Sequence, residues 1–167
     1  YHMYVSWNGD ELKFGDRPID DYSGHESVDL GLPSGIKWAT CNVGANKPEE
    51  YGDYFAWGEV TSKDEYTWAS YIWCNGSQNS MTKYCYDRNY GIIDNITRLE
   101  PEDDAASVIW KDSWRMPTWE EQNELRQYCD WVWVTNNGVP GMKVISRENN
   151  NFIFMPAAGY KIGSGLN

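Results

Sequence analysis

A chain of 167 residues with 25 Asp and Glu against 14 Lys and Arg carries a formal net charge of −11, which excludes the basic stripe that nucleic-acid binding requires. The same acidity favours solubility and disfavours an anionic lipid surface, and no apolar run reaches the length of a membrane span. The length suits one domain able to bury about two thirds of its unfolded surface.

Taken in chain order, Met3 to Phe14 predicts a hairpin, Met-Tyr-Val-Ser-Trp and Glu-Leu-Lys-Phe joined at Asn8-Gly9-Asp10. Asp16 to Glu26 is polar, with a proline and a glycine, and reads as a linker, so residues 1–26 are set apart from a main domain over 27–167. Val28 to Leu30 and Ile36 to Thr40 are short strands around the turn Leu32-Pro-Ser-Gly35. Tyr51 to Trp57 is aromatic and expected to be half-buried. Pro101 opens a helix to about Trp110, with Glu102, Asp103 and Asp104 on the positive end of its dipole and Ala105, Ala106, Ile109 and Trp110 on one face. After the corner Trp114-Arg-Met-Pro117, Thr118-x-x-Glu121 has the form of a capping box and opens a second helix to about Cys129. Arg115 is placed to pair with Glu121 or with an acid of the first layer, and Trp110, Trp114, Thr118 and Trp119 are assigned to the fold. Trp131 to Thr135, Met142 to Ser146 and Asn151 to Met155 then predict an antiparallel meander, turning at Asn136-Asn-Gly138 and Glu148-Asn-Asn150. Alternation in Trp131-Val-Trp-Val-Thr135 sets the tryptophans opposite the valines, which reads as a strand covered on both faces.

Cys41, Cys74, Cys85 and Cys129 allow three pairings or four free thiols. Cys74 with Cys85 would close a loop of feasible size, and Cys41 with Cys129 would staple the amino-terminal layer to the second helix. No Cys-x-x-Cys occurs and only His2 and His25 are available, so a zinc site is not expected.

The corner Trp114-Arg-Met-Pro-Thr-x-x-Glu121 resembles the Trp-Arg-Leu-Pro-Thr-x-x-Glu hallmark of the C-type lectin-like fold shared with formylglycine-generating enzymes. A narrower resemblance rests on Val28-Asp-Leu-Gly-Leu-Pro-Ser-Gly35, Trp38-Ala-Thr-Cys-Asn-Val-Gly-Ala45, Pro48-Glu-Glu-Tyr-Gly-Asp-Tyr54 with Ala56-Trp-Gly-Glu59, and Leu99-Glu-Pro-Glu-Asp-Asp-Ala105. These blocks are similar, in order, to the surface domain of gut Bacteroidetes called the Fibrobacter succinogenes major paralogous domain. The resemblance implies an α+β, C-type lectin-like fold with two helices packed on a small, mostly antiparallel sheet. It also implies strands beyond the segment matching Phe154-Met-Pro-Ala-Ala-Gly-Tyr160, with Trp-Ser-Ser and Arg-Pro-Val motifs that this chain does not show. Either the sequence is a fragment of a longer domain, or the sheet is expected to be completed by a second chain or by self-association.

Ten tryptophans and twelve tyrosines supply the candidate contact chemistry. Tyr66, Trp68, Tyr71, Trp73, Asn75, Tyr84, Tyr86, Arg88 and Tyr90 mix aromatic faces with neutral amides and one guanidinium, in the segment that resembles the family's variable insertion. Such side chains stack on sugar rings or anchor a protein partner; the same residues can instead pack a long loop onto its domain. Asp87, Asn89, Asp94, Asn95, Glu100, Glu102, Asp103 and Asp104 offer oxygen ligands for a structural calcium. Glu100-Pro-Glu102 departs from the Glu-Pro-Asn loop of calcium-dependent lectins, and helix-dipole compensation accounts for Glu102 to Asp104 without a metal or other cofactor. None of the four cysteines lies where the formylglycine-generating relatives bind copper, and neither histidine has a Ser-His or Cys-His context. A hydrolase with paired carboxylates stays open, because only spatial separation decides it.

The expectation is thus a non-catalytic, secreted or cell-surface binding domain for a glycan or a protein receptor, as on an adhesin or a phage tip. The alternative is an assembly module of a surface fibre or phage particle. No nucleic acid, membrane insertion or cofactor is expected.

Overall fold

The computed structural model describes residues 6–7, 25–111 and 113–167. The chain belongs to the α+β class, with two short helices and small antiparallel sheets. Of the expected amino-terminal hairpin and linker, only Ser6–Trp7 and residues 25 and 26 fall within the described residues.

Strand β1 (Ser6–Trp7) lies between β3 (Lys37–Ala39) and β4 (Trp114–Arg115), and β2 (Ser27–Asp29) pairs with β3 outside them. The β2–β3 turn closes where the Gly35 N–H donates to the Leu32 carbonyl at 2.9 Å, as the Leu-Pro-Ser-Gly stretch predicts. Three residues of β3 divide the core. Alternation sends Trp38 to one side, where it meets Leu30, Leu32, Ile36, Leu125, Val144 and Ile153, and sends Ala39 to the other, where it meets Val43, Tyr84, Leu99, Trp110 and Trp114.

The helical corner forms by a different route at its start. Pro101–Asp103 is a single 3₁₀ turn, and α1 (Ala105–Trp110) begins only after Asp104. Asp104 is the N-cap: Oδ1 accepts from the N–H groups of Ala106 and Ser107 at 2.9 and 3.1 Å, and Oδ2 accepts from Met116 at 2.7 Å. Glu102 and Asp103 therefore precede the helix and do not sit in its first turn, contrary to the dipole reading. The short helix buries Ala105, Ala106 and Trp110, while Ile109 faces outward, because six residues cover less than two turns and the inward arc is full.

Helix α2 (Trp119–Tyr128) carries the expected capping box: Glu121 N–H donates to Thr118 Oγ1 at 3.3 Å and Thr118 N–H to Glu121 Oε2 at 2.7 Å. Arg115 meets Glu121 with both terminal nitrogens, at 2.7 and 2.5 Å. Trp119, assigned to the fold from sequence, is 72% exposed, since the first helical position points away from the corner that Leu125 fills.

Strands β5 (Cys129–Asn136), β6 (Val139–Ser146) and β7 (Phe152–Pro156) make the expected meander. Asn137 and Gly138 both have positive φ, +48° and +86°, the requirement of a type I′ turn. One expectation is overturned. Strand β5 is not covered on both faces: it is an edge strand among the described residues, Val132 is exposed, and Trp133 is 62% exposed. Of the two tryptophans Trp131 is the one tethered, its indole N–H donating to the Leu125 carbonyl of α2 at 3.0 Å. Ser146 Oγ, donating to the Leu30 carbonyl at 2.6 Å, binds this sheet to the first. The chain closes with the pair β8 (Lys161–Ile162) and β9 (Gly165–Leu166). All four cysteines are free.

Candidate recognition loop

Between β3 and the helical corner the chain runs from residue 40 to residue 100 without a helix or a named strand. A loop of that length needs its own internal bonds to hold a shape. Four of the nine candidate contact residues supply them. Tyr66 donates its hydroxyl to the Tyr54 carbonyl at 2.5 Å and accepts from the Lys63 N–H at 3.0 Å, and its backbone exchanges two hydrogen bonds with Gly163. Tyr71 donates to the Trp57 carbonyl at 2.8 Å; burial, then the Glu59 carboxylate, hold its hydroxyl above the ordinary tyrosine range. Trp73 donates its indole N–H to the Gly58 carbonyl at 2.6 Å. Gly58 has φ +75°, and a Cβ there would stand 2.8 Å from the Trp73 and Tyr84 rings, so this close approach requires glycine.

Tyr84 is the innermost of the four. It is 7% exposed and belongs to the core cluster with Trp110 and Leu99, so it offers no face to a partner. Its hydroxyl donates to Asp103 Oδ2 at 2.6 Å and accepts from the Glu100 N–H at 3.2 Å. The Lys83 ammonium sits 4.7 Å from the Trp73 ring centroid and 5.0 Å from that of Tyr84, bonded to Asp103 at 2.6 Å and to Glu100. The buried Glu59 carboxylate anchors the other end, paired with Lys63 at 2.7 Å and accepting from the Ile72 N–H at 3.0 Å.

The remaining five candidates point outward. Trp68 and Tyr86 are 46% and 76% exposed, and Asn75, Arg88 and Tyr90 are exposed as well. Met81 is the hub that gathers their backbones. Its N–H donates to the Tyr90 carbonyl at 2.8 Å, its carbonyl accepts from Ile92 at 2.9 Å, and it bridges to Cys74, next to Asn75. The turn that carries Arg88, directly after Tyr86, is closed by Tyr90 N–H donating to the Asp87 carbonyl at 2.9 Å. Trp68 joins through Cys74, whose thiol donates to the Trp68 carbonyl at 3.0 Å, and through an edge contact with Tyr71 at 6.0 Å. Sequence reasoning missed Ile72, Ile92 and Ile93, which are exposed on the same loop. No periodic pattern marks them, since nothing in the loop repeats.

Asp87, Asp94, Glu100, Asp103 and Asp104, five of the oxygen-rich side chains considered for calcium, accept hydrogen bonds from the protein itself. Asp94 accepts from the N–H groups of Tyr84, Cys85 and Ile96 at 2.6, 3.0 and 3.1 Å; burial pushes its carboxyl up, but these bonds together hold it below the ordinary range. Asp103 is likewise held low by Lys83 and Tyr84 against the pull of burial. Among the described residues no three His, Cys, Asp or Glu side chains converge on a metal-sized point.

One neighbour pair was invisible in sequence. His25 stacks on Trp110 at 3.8 Å between centroids, and its Nδ1 lies 4.0 Å from Cys41 Sγ. The thiol donates to the Ala45 carbonyl at 3.3 Å and is pushed up to about 11, first by burial and then by Glu50 and Glu26. A thiol held protonated is a poor nucleophile. Among the described residues no helix is long and apolar enough to cross a membrane. No family model, curated protein or solved structure matches this chain.

Proposed function

We propose that this chain is a non-catalytic binding domain, displayed outside the cell, that recognises a protein receptor through Trp68, Asn75, Tyr86, Arg88 and Tyr90. The observation that carries the reading is the division of labour within one loop. Tyr66, Tyr71, Trp73 and Tyr84 place their polar atoms on internal acceptors, whereas Trp68, Tyr86 and Tyr90 hold large surfaces in water. Exposed large apolar side chains on a braced loop are the anatomy of a recognition surface, with aromatic and Arg anchors at its centre. Exposed Ile72, Ile92 and Ile93 favour a protein over a glycan, because a sugar needs hydrogen-bonding groups around its stacking ring.

The scaffold we infer is a C-type lectin-like one. Support comes from the Trp114–Glu121 corner, where the Arg115–Glu121 pair and the Thr118 capping box lock the hallmark residues to each other. Cell-surface binding of the fluorescently labelled chain tests the function. Replacing Trp68 and Tyr86 by alanine is expected to weaken binding at least about tenfold with an unchanged circular dichroism spectrum. Protease treatment of the cells should abolish binding and periodate treatment should spare it. The reverse pattern would assign a glycan receptor, and full binding by the double variant would remove this loop from recognition altogether.

A further inference from the structure

The outward face of the β5–β6–β7 sheet carries chemistry that the recognition loop does not use. Register places Lys143 opposite Val132 on β5 and Phe154 on β7, all on the side away from Val144 and Ile153. Over this face lies an open cleft of about 510 Å³, walled by Thr40, Pro48, Val134, Lys143, Phe152 and Phe154. That volume suits a small organic molecule. A side-chain bond from Asn137 Nδ2 to Glu49 Oε1, at 2.8 Å, ties the turn after Pro48 to the β5–β6 hairpin at one end.

Charge identifies the occupant. The protein carries a net charge of −11, yet the single charged group among the residues lining the cleft is a cation, Lys143. Its ammonium rests 3.7 Å from the centroid of the Phe152 ring. Lys63, Lys83, Arg115 and Arg147 are each paired with a carboxylate; Lys143, like Lys161 over Tyr54, has no carboxylate partner among the described residues, and of these two it is Lys143 that lines the cleft. A half-buried ammonium over an aromatic ring, with apolar walls on either side, lacks only an anion brought from outside.

We propose that this cleft binds a small organic anion, an apolar ring system bearing one carboxylate or sulfonate, with the charge on Lys143 and the ring against Val134 and Phe152. The site borrows Thr40 and Pro48 from the start of the 40–100 loop but none of its outward-facing residues Trp68, Asn75, Tyr86, Arg88 and Tyr90, and it stands whether or not those residues bind a receptor.

Two fluorescent probes of nearly the same shape test it on the full chain. 8-Anilinonaphthalene-1-sulfonate carries one negative charge, and N-phenyl-1-naphthylamine carries none. The anionic probe is expected to bind saturably at one site, and Lys143→Met should weaken it about tenfold while leaving the neutral probe unchanged. Lys143→Glu should abolish anionic binding, and Phe152→Ala should weaken both probes. The Trp68→Ala, Tyr86→Ala double variant should bind both as the wild type does. Equal affinity of the anionic probe for wild type, Lys143→Met and Lys143→Glu would overturn the proposal. So would loss of the signal in the loop variant.

Discussion

Arg115 and Asp104 show how single side chains hold the two helices at their angle. Arg115 is 9% exposed, and its charge is tolerated because Glu121 faces it with both oxygens and the Met116 carbonyl accepts a third bond at 3.1 Å. Asp104 joins the start of α1 to Met116 across twelve residues; burial nonetheless pushes its carboxyl above the ordinary aspartate range, against the pull of its three N–H donors and Arg115. Glu121 goes the other way. Burial alone would raise it, but Arg115 and the Thr118 N–H outweigh burial and hold its carboxyl below the ordinary glutamate range. An acid whose folded value is lowered stabilises the fold fully above its unfolded value of about 4.3, and that contribution is lost as pH falls through the folded value. Glu121→Gln is therefore expected to lose about 2 kcal/mol at pH 7, leaving Arg115 without its anion. Below pH about 4 the gap to wild type should close, at up to about 1.4 kcal/mol per pH unit. Urea unfolding across pH 2.5 to 7 measures it; parallel curves would remove Glu121 from acid stability.

Strands and turns follow local rules more faithfully than the helices do. The β5–β6 hairpin aligns Asn136 with Val139 and leaves Asn137-Gly138 as its two-residue turn. A Cβ on Gly138 would meet nothing within 4 Å, so the cost of a side chain there is backbone strain alone. Gly138→Ala is expected to cost about 1 kcal/mol, a fall in Tm of about 2–4 °C, and Gly138→Asn less, because asparagine tolerates positive φ. Equal losses for the two substitutions would contradict the strain argument. The helices were legible from their caps and corner, yet the 3₁₀ start at Pro101–Asp103 was not. Proline and acids suit the first turn of either helix type, and only the bonds from Asp104 to Ala106, Ser107 and Met116 decide that α1 starts later. Trp131 and Trp133 carry the same lesson: an apolar alternating run reports a strand, and what covers it depends on which elements pack beside it, here, among the described residues, none beyond β6 in the sheet.

Across the whole molecule, the loop and the scaffold share a core. Tyr84 and Leu99 from the loop pack in one cluster with Ala39 of β3 and with Trp110 and Trp114 of the corner. The loop should therefore open only when that core opens. Hydrogen exchange is expected to show the amides of Met81, Thr82 and Ile92 as protected as those of β6, whereas Gln78 and Asn79, exposed and outside the backbone bonds of the loop ladder, exchange fast. Exchange at Met81 about a hundredfold faster than in β6 would make the loop a separate unit.

What the amino-acid sequence determined alone is what rests on neighbours along the chain: the α+β class, the capping box at Thr118, the Leu32–Gly35 and Asn137-Gly138 turns and the three-stranded meander. These depend on the spacing of a few residues and on backbone sterics. Tertiary structure decided which aromatic residues brace the loop and which face water, since Tyr66 and Tyr86 are chemically alike and differ only in whether a carbonyl such as that of Tyr54 lies within reach. It also decided that Lys143 stands over Phe152, nine residues away in the chain, because strand register, and no local pattern, places them on one face.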